Sequence, residues 1–173
     1  MRLTVLAAAA FCLALPALAG PDDFAAGPRV PSYGKTVPVP GAVLPADARF
    51  KVAFDLAAAS EGEAVNRNLD SAARLFNMHA LAGVPDENVS VAIVVHGPAA
   101  MDVINDAKRD SPNPNAGLVA ELVAAGASIQ LCGQTAASRN ITQDDLLPGV
   151  TLSLSAMTAH ALLQQDGYTL NPF

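Results

Sequence analysis

Residues 89–95, Val-Ser-Val-Ala-Ile-Val-Val, are apolar at six of seven positions. A strand with one wet face alternates apolar and polar residues. A run without alternation needs cover on both sides, as in the middle of a parallel sheet flanked by helices. Parallel neighbours in turn need long crossovers, usually helical. The rest of the chain supplies them. Phe50–Leu56 reads as a first strand, and residues 63–82 as a helix with Val65, Leu69, Ala72, Phe76 and Ala80 on one face, closed by Gly83 and Pro85. His96-Gly97-Pro98 turns the central strand into a second helix carrying Ala100, Val103, Ile104 and Ala107 inward. Asn113-Pro114 opens a third, with Leu118, Val119, Leu122 and Val123 on its buried face and Gly126 at its end. Residues 127–131 form the next strand, ending at Cys132-Gly133. A polar connection follows with one helical turn at 142–147, then a last strand at 150–154. Ser155 caps a terminal helix running to Asp166 and stopped by Gly167. This order predicts an α/β fold: an open, mostly parallel sheet with helices on both faces.

Composition bears mainly on the first residues. Of the 173 residues 51% are apolar, but 16 of the first 19 are, and without those the fraction falls to roughly 47%, ordinary for a soluble chain. Met1-Arg2, the apolar stretch from Leu3 to Leu15, and Ala17-Leu18-Ala19 before Gly20 read as a secretory signal peptide cleaved after Ala19. The stretch is shorter than the ~20 residues that span a bilayer. The protein is thus expected to be periplasmic or secreted, with no membrane attachment after cleavage. Ten basic residues stand against 16 acidic ones, a balance that repels nucleic-acid phosphates and excludes DNA or RNA as a partner.

Residues 20–47 hold six prolines and four glycines without helical periodicity, and read as an extended arm or linker. Val37-Pro38-Val39-Pro40 favours extended backbone. The sequence leaves open whether the arm drapes over the domain at 48–173 or reaches another subunit.

Ligands of open parallel sheets bind beyond the carboxyl ends of the strands. The residues there are Asp55, His96, and Cys132 with Gly133 and Gln134. Cleavage of the leader removes Cys12, leaving Cys132 as a solitary thiol in an oxidising compartment. A thiol reacts as thiolate, and a nearby imidazole or helix-start amides raise the thiolate fraction. Cys132 and His96 are therefore the candidate catalytic pair, with Gly97, Gly133 and Gln134 as candidate substrate-binding residues. The alternative is a cysteine that is simply a small buried hydrophobe. His79, beside Phe76, reads as packing or solvent-facing, and His160 in the terminal helix as structural. Asn66, Arg67 and Asn68 suit an anion contact or a solvated helix face. Three dispersed histidines make a poor metal case. No G-x-G-x-x-G, phosphate-loop or G-x-S-x-G motif occurs, so no cofactor is expected.

Five segments in order carry a family resemblance: Ala73-Arg74-Leu75-Phe76-Asn77, Val94-Val95-His96-Gly97-Pro98, Leu131-Cys132-Gly133-Gln134, residues 144–150 (Asp-Asp-Leu-Leu-Pro-Gly-Val), and Leu163-Gln164-Gln165-Asp166-Gly167-Tyr168. The chain from about residue 50 onward resembles the DsrE/DsrF-like family of sulfur oxidation and sulfur relay proteins, most closely its secreted single-domain members. The resemblance implies a flavodoxin-like layered fold and assembly into trimers or hexamers; from the apolar surface that a domain of this size leaves exposed, the terminal helix and residues 168–173 are the expected contributors. It also implies that Cys132 carries sulfur as a persulfide. The family's relay members work in the cytoplasm with dedicated partners, whereas this chain carries an export signal, so the sulfur donor or acceptor protein is open. The leading reading is a periplasmic sulfur carrier or sulfurtransferase with His96 assisting ionisation of Cys132. The alternatives are a non-catalytic binding or assembly module with an inert cysteine, and a redox-sensing thiol that passes through sulfenic acid.

Overall fold

The computed structural model describes residues 19–171, so the leader, with Cys12, lies outside the described residues, as do Pro172 and Phe173. Five strands form one sheet: β1 (Phe50–Leu56), β2 (Val89–Val95), β3 (Ser128–Cys132), β4 (Val150–Ser153) and β5 (Thr169–Leu170). Their order is β4-β3-β2-β1-β5, and every pair is parallel. The helices are α1 (Arg67–Leu81), α2 (Ala116–Ala124), α3 (Gly133–Ser138) and α4 (Ala156–Gln165). From β1 to β4 the chain steps in one direction across the sheet; α4 then carries it back to the far side of β1.

The two faces of the sheet differ in residue size. Phe54, Leu56, Val91, Ile93, Val95, Ile129, Leu131 and Val150 point to the side of α1 and α2, where Leu69, Ala72, Phe76, Leu118, Val119 and Leu122 close the main core. The opposite side carries small residues such as Ala53 and Ala92, together with Val94, and receives α4. β2 is sealed on both sides, as its unbroken apolar run requires: Val91 to Val95 are at most 1% exposed.

Three elements depart from the sequence reading. The helix expected after His96 is a 3-10 turn over Gly97–Asp102 followed by irregular chain. Beyond it, Pro112 and Pro114 withhold donors and Asn105 and Asn113 take up local backbone groups, which favours turns over a continuous helix. Residues after Cys132 form α3, and β4 is not the last strand, because β5 pairs with β1 through Val52 and Ala53. The arm drapes over the domain. Val30 is fully buried, and Asn77 of α1, itself buried, accepts from the amides of Arg29 and Val30 and donates to the carbonyls of Val30, Tyr33 and Gly34. Arg29 stacks over Phe76 with its guanidinium 4.3 Å from the ring centre.

Candidate functional site

The carboxyl ends of β1, β2 and β3 bring Asp55, His96 and Cys132 to one rim, and α4 adds His160. His96 and Cys132 follow the paired residues Val95 and Leu131, so the candidate pair lies side by side in register. His96, however, turns its Nε2 to Asp55, at 3.1 Å from Oδ1 and 3.3 Å from Oδ2. The Nε2 of His160 lies 2.8 Å from the same Oδ1. A carboxylate only accepts, so both rings present Nε2–H to it. Burial pushes the Asp55 carboxyl up, but the hydrogen bonds from His160 and His96 and their charge outweigh it and hold the group below its ordinary value. Asp55 therefore stabilises the fold above the ordinary carboxyl pKa, and this contribution is lost as pH falls through the lower folded value.

Cys132 is buried and unpaired, at the N-cap of α3. No strict cap hydrogen bond closes on its sulfur. Burial raises the thiol pKa, yet the polar surroundings supplied by the amides of Thr135, Ala156 and Gln134 and the Thr135 hydroxyl bring it below the ordinary thiol range. These donors come from the first turns of α3 and α4, where amides have no partner within the helix. A thiol packed merely as a hydrophobe would gain nothing from them. Thr135 is itself held: its Oγ accepts from the Gly97 amide at 3.1 Å.

Each candidate binding residue has a definite task. A Cβ on Gly133 would sit 2.5 Å from the Ser153 carbonyl oxygen, so only glycine lets α3 start against the end of β4. Gly97 takes a positive φ of 57° at the β2 turn and presents its amide to Thr135. Gln134 is exposed and reaches the Leu154 carbonyl at 3.4 Å. His96 turns its ring to Asp55 and joins the site through that carboxylate.

Sequence reasoning treated His160 as structural and did not group Asp55 with it, since the two are 105 positions apart. The only signal was the helical spacing that puts His160 one turn after Ala156, facing the sheet. His79 packs, with its ring centroid 4.2 Å from that of Phe50 and Nδ1 at 2.8 Å from the Leu75 carbonyl. Asn66 is buried and donates to the carboxyl group of Asp102 at 2.7 Å, an internal partner that also accepts from the Ser60 amide and hydroxyl. Among the described residues no group of three or more His, Cys, Asp or Glu is arranged to hold a metal ion. Nor is any helix among them long and apolar enough to cross a membrane.

Comparison with known proteins gives three findings. The family model described as "DsrE/DsrF-like family" matches residues 51–172. The fold is similar to that of MTH1491, a protein of unknown function from Methanobacterium thermoautotrophicum, at 21% identity and a TM-score of 0.54 over 70% of this chain and 97% of that one. It is also similar to the ychN protein from E. coli, at 18% identity and a TM-score of 0.52 over 70% and 96% of the two chains. A search of curated proteins finds no match.

Proposed function

Because the chain belongs to the DsrE/DsrF-like family, we propose that it is an exported sulfur carrier, or a sulfurtransferase, that holds sulfane sulfur on Cys132 as a persulfide. The observation that carries this reading is the arrangement around the sulfur: a buried cysteine faced by amides from the starts of two helices and by a hydroxyl, with its thiol pKa lowered. Thiolate attack on a sulfane sulfur forms a Cys–S–S bond and leaves a terminal persulfide anion, and the donors that favour the thiolate suit that anion equally. With a polysulfide as donor, the bond broken is S–S, and the shortened polysulfide leaves with the electron pair. The family resemblance supports sulfur relay, and the leader sequence supports export to the periplasm or beyond.

Intact-mass analysis after incubation with polysulfide tests this. Wild-type protein gains the mass of one sulfur atom, the gain is reversed by a reducing thiol, and Cys132→Ser gains nothing while melting at an almost unchanged temperature. A Cys132 that stays unmodified while an exposed model thiol reacts refutes the carrier and leaves the inert-cysteine module standing.

Self-association belongs to the same reading. Leu154, Met157 and Leu162, on or just before the outer face of α4, are 71%, 82% and 60% exposed. Large apolar side chains grouped in this way favour cover by a second copy of the chain. Light scattering on the eluting protein should give a multiple of the monomer mass, and replacing Met157 and Leu162 together by Glu should return it to the monomer.

A further inference from the structure

We propose that Asp55 is a positioning residue for Cys132: through His160 and His96 it fixes both segments that carry the donors facing the sulfur. This rests on the reading of Cys132 as the reacting group.

The first segment is α4. Ala156, whose amide faces the sulfur, and His160, bonded to Asp55, are four residues apart and so lie one above the other on the same helix face. α4 packs on β2, β3 and β4 through small side chains, with Ala159 its one buried residue, so the His160 contact is its polar tie to the sheet rim at Asp55. Losing the His160 contact frees α4 to shift by the few tenths of an ångström that separate a good donor from a poor one. The start of α4 meets the Cys132 segment through the Cys132–Ser153 register pair, the Ser153 hydroxyl placed 3.3 Å from both the Leu131 and the Ser155 carbonyls, and the long Gln134 contact to Leu154.

The second segment is the β2 turn. His96, bonded to Asp55, is followed directly by Gly97, whose amide donates to Thr135, and Thr135 supplies an amide and a hydroxyl to the sulfur. One carboxylate thus stands at the head of two chains of contacts that both end at Cys132. Lys51, which shares the Asp55 face of β1, pairs with Asp166 at 3.1 Å. Asn68 reaches only the Asp55 backbone carbonyl, at 3.4 Å.

The sign of the effect separates positioning from simple charge. Deleting a negative charge near a thiol by itself makes the thiolate easier to form, whereas loosening its donors makes it harder. The test measures alkylation of native full-chain protein by iodoacetamide as a function of pH, for wild type, Asp55→Ala, His160→Ala and His160→Gln. Glutamine keeps an N–H for Asp55 without a titrating ring. The expected result is a midpoint raised by about one unit, with roughly tenfold slower alkylation below it, in both alanine variants. His160→Gln should keep the wild-type profile. Amide exchange at Ala156 should quicken in both alanine variants, and at Gly97 in Asp55→Ala. Unchanged or lowered midpoints in the alanine variants, or a glutamine variant shifted as far as His160→Ala, would overturn the proposal. Alkylation needs no sulfur donor, so a wild-type protein that fails to load sulfur refutes the carrier and leaves this result to stand or fall separately.

Discussion

Val94→Asp gives a chain without a cooperative unfolding transition. Val94 is fully buried on the α4 side of the central strand, with Asp55 as its register partner on β1 and Gln130 on β3. The substitution discards roughly 2 kcal/mol of apolar burial. It also places a carboxylate beside that of Asp55, to which both nearby imidazoles are already committed. Leaving a buried charge unpaired costs several kcal/mol more, and the total for a domain of this size is only about 5–15 kcal/mol. Protonation of the new acid spares the charge but not the packing or the unmet hydroxyl. Far-UV circular dichroism with a thermal scan reads the outcome. A transition like that of wild type would mean that the α4 side of β2 is open to water, which would also undo the account of α4 given above.

The same residue illustrates why some of the molecule was legible and some was not. β1 and β2 are long and strongly patterned, and the sequence reading matches their bounds. α1 begins four residues later than expected, because Asn66 is its N-cap and the preceding residues form the loop held by Ser60 and Asn66 on Asp102. α3 has six residues, Gly-Gln-Thr-Ala-Ala-Ser, with no apolar stripe to announce it. It forms where Gly133 lets the chain turn sharply against the end of β4, a tertiary circumstance. β5 is two residues long and exists only through its pairing with β1. At the rim, Cys132 was legible because it follows a recognisable strand. The Asp55 contacts were not, since His160 reaches Asp55 only after α4 has crossed back over the sheet. Local pattern reports which residues lie at strand ends; it does not report which helix residue returns to meet them.

The arm gives the second large effect. Asn77→Ala should lower stability by about 3 kcal/mol, or roughly 10 °C in melting temperature for a chain of this length. Asn77 is fully buried and makes five hydrogen bonds to backbone groups of Arg29, Val30, Tyr33 and Gly34. A methyl group in its place leaves two amides and the carbonyls of Tyr33 and Gly34 without that partner, and the Val30 carbonyl with the Gly27 amide alone. The chain escapes that cost by lifting the arm away, which exposes Val30 and the ring of Phe76 beneath Arg29. Further contacts lie nearer the surface: Gly34 to Asp70 at 2.8 Å, Ser32 to Glu121 at 2.9 Å, and the Arg29 guanidinium to the carbonyls of Ala125 at 2.8 Å and Asp86 at 3.1 Å. Limited trypsin digestion reports the release directly. Arg29 and Lys35 are its targets within the arm, and both should be cut rapidly in Asn77→Ala under conditions that leave wild type intact. Sulfur loading at Cys132 should survive, because the arm packs on α1 and α2, on the other side of the sheet from α4. Equal trypsin resistance in the two proteins would mean that the arm is held by something other than Asn77, and would remove the reason for treating residues 29–34 as part of the folded domain.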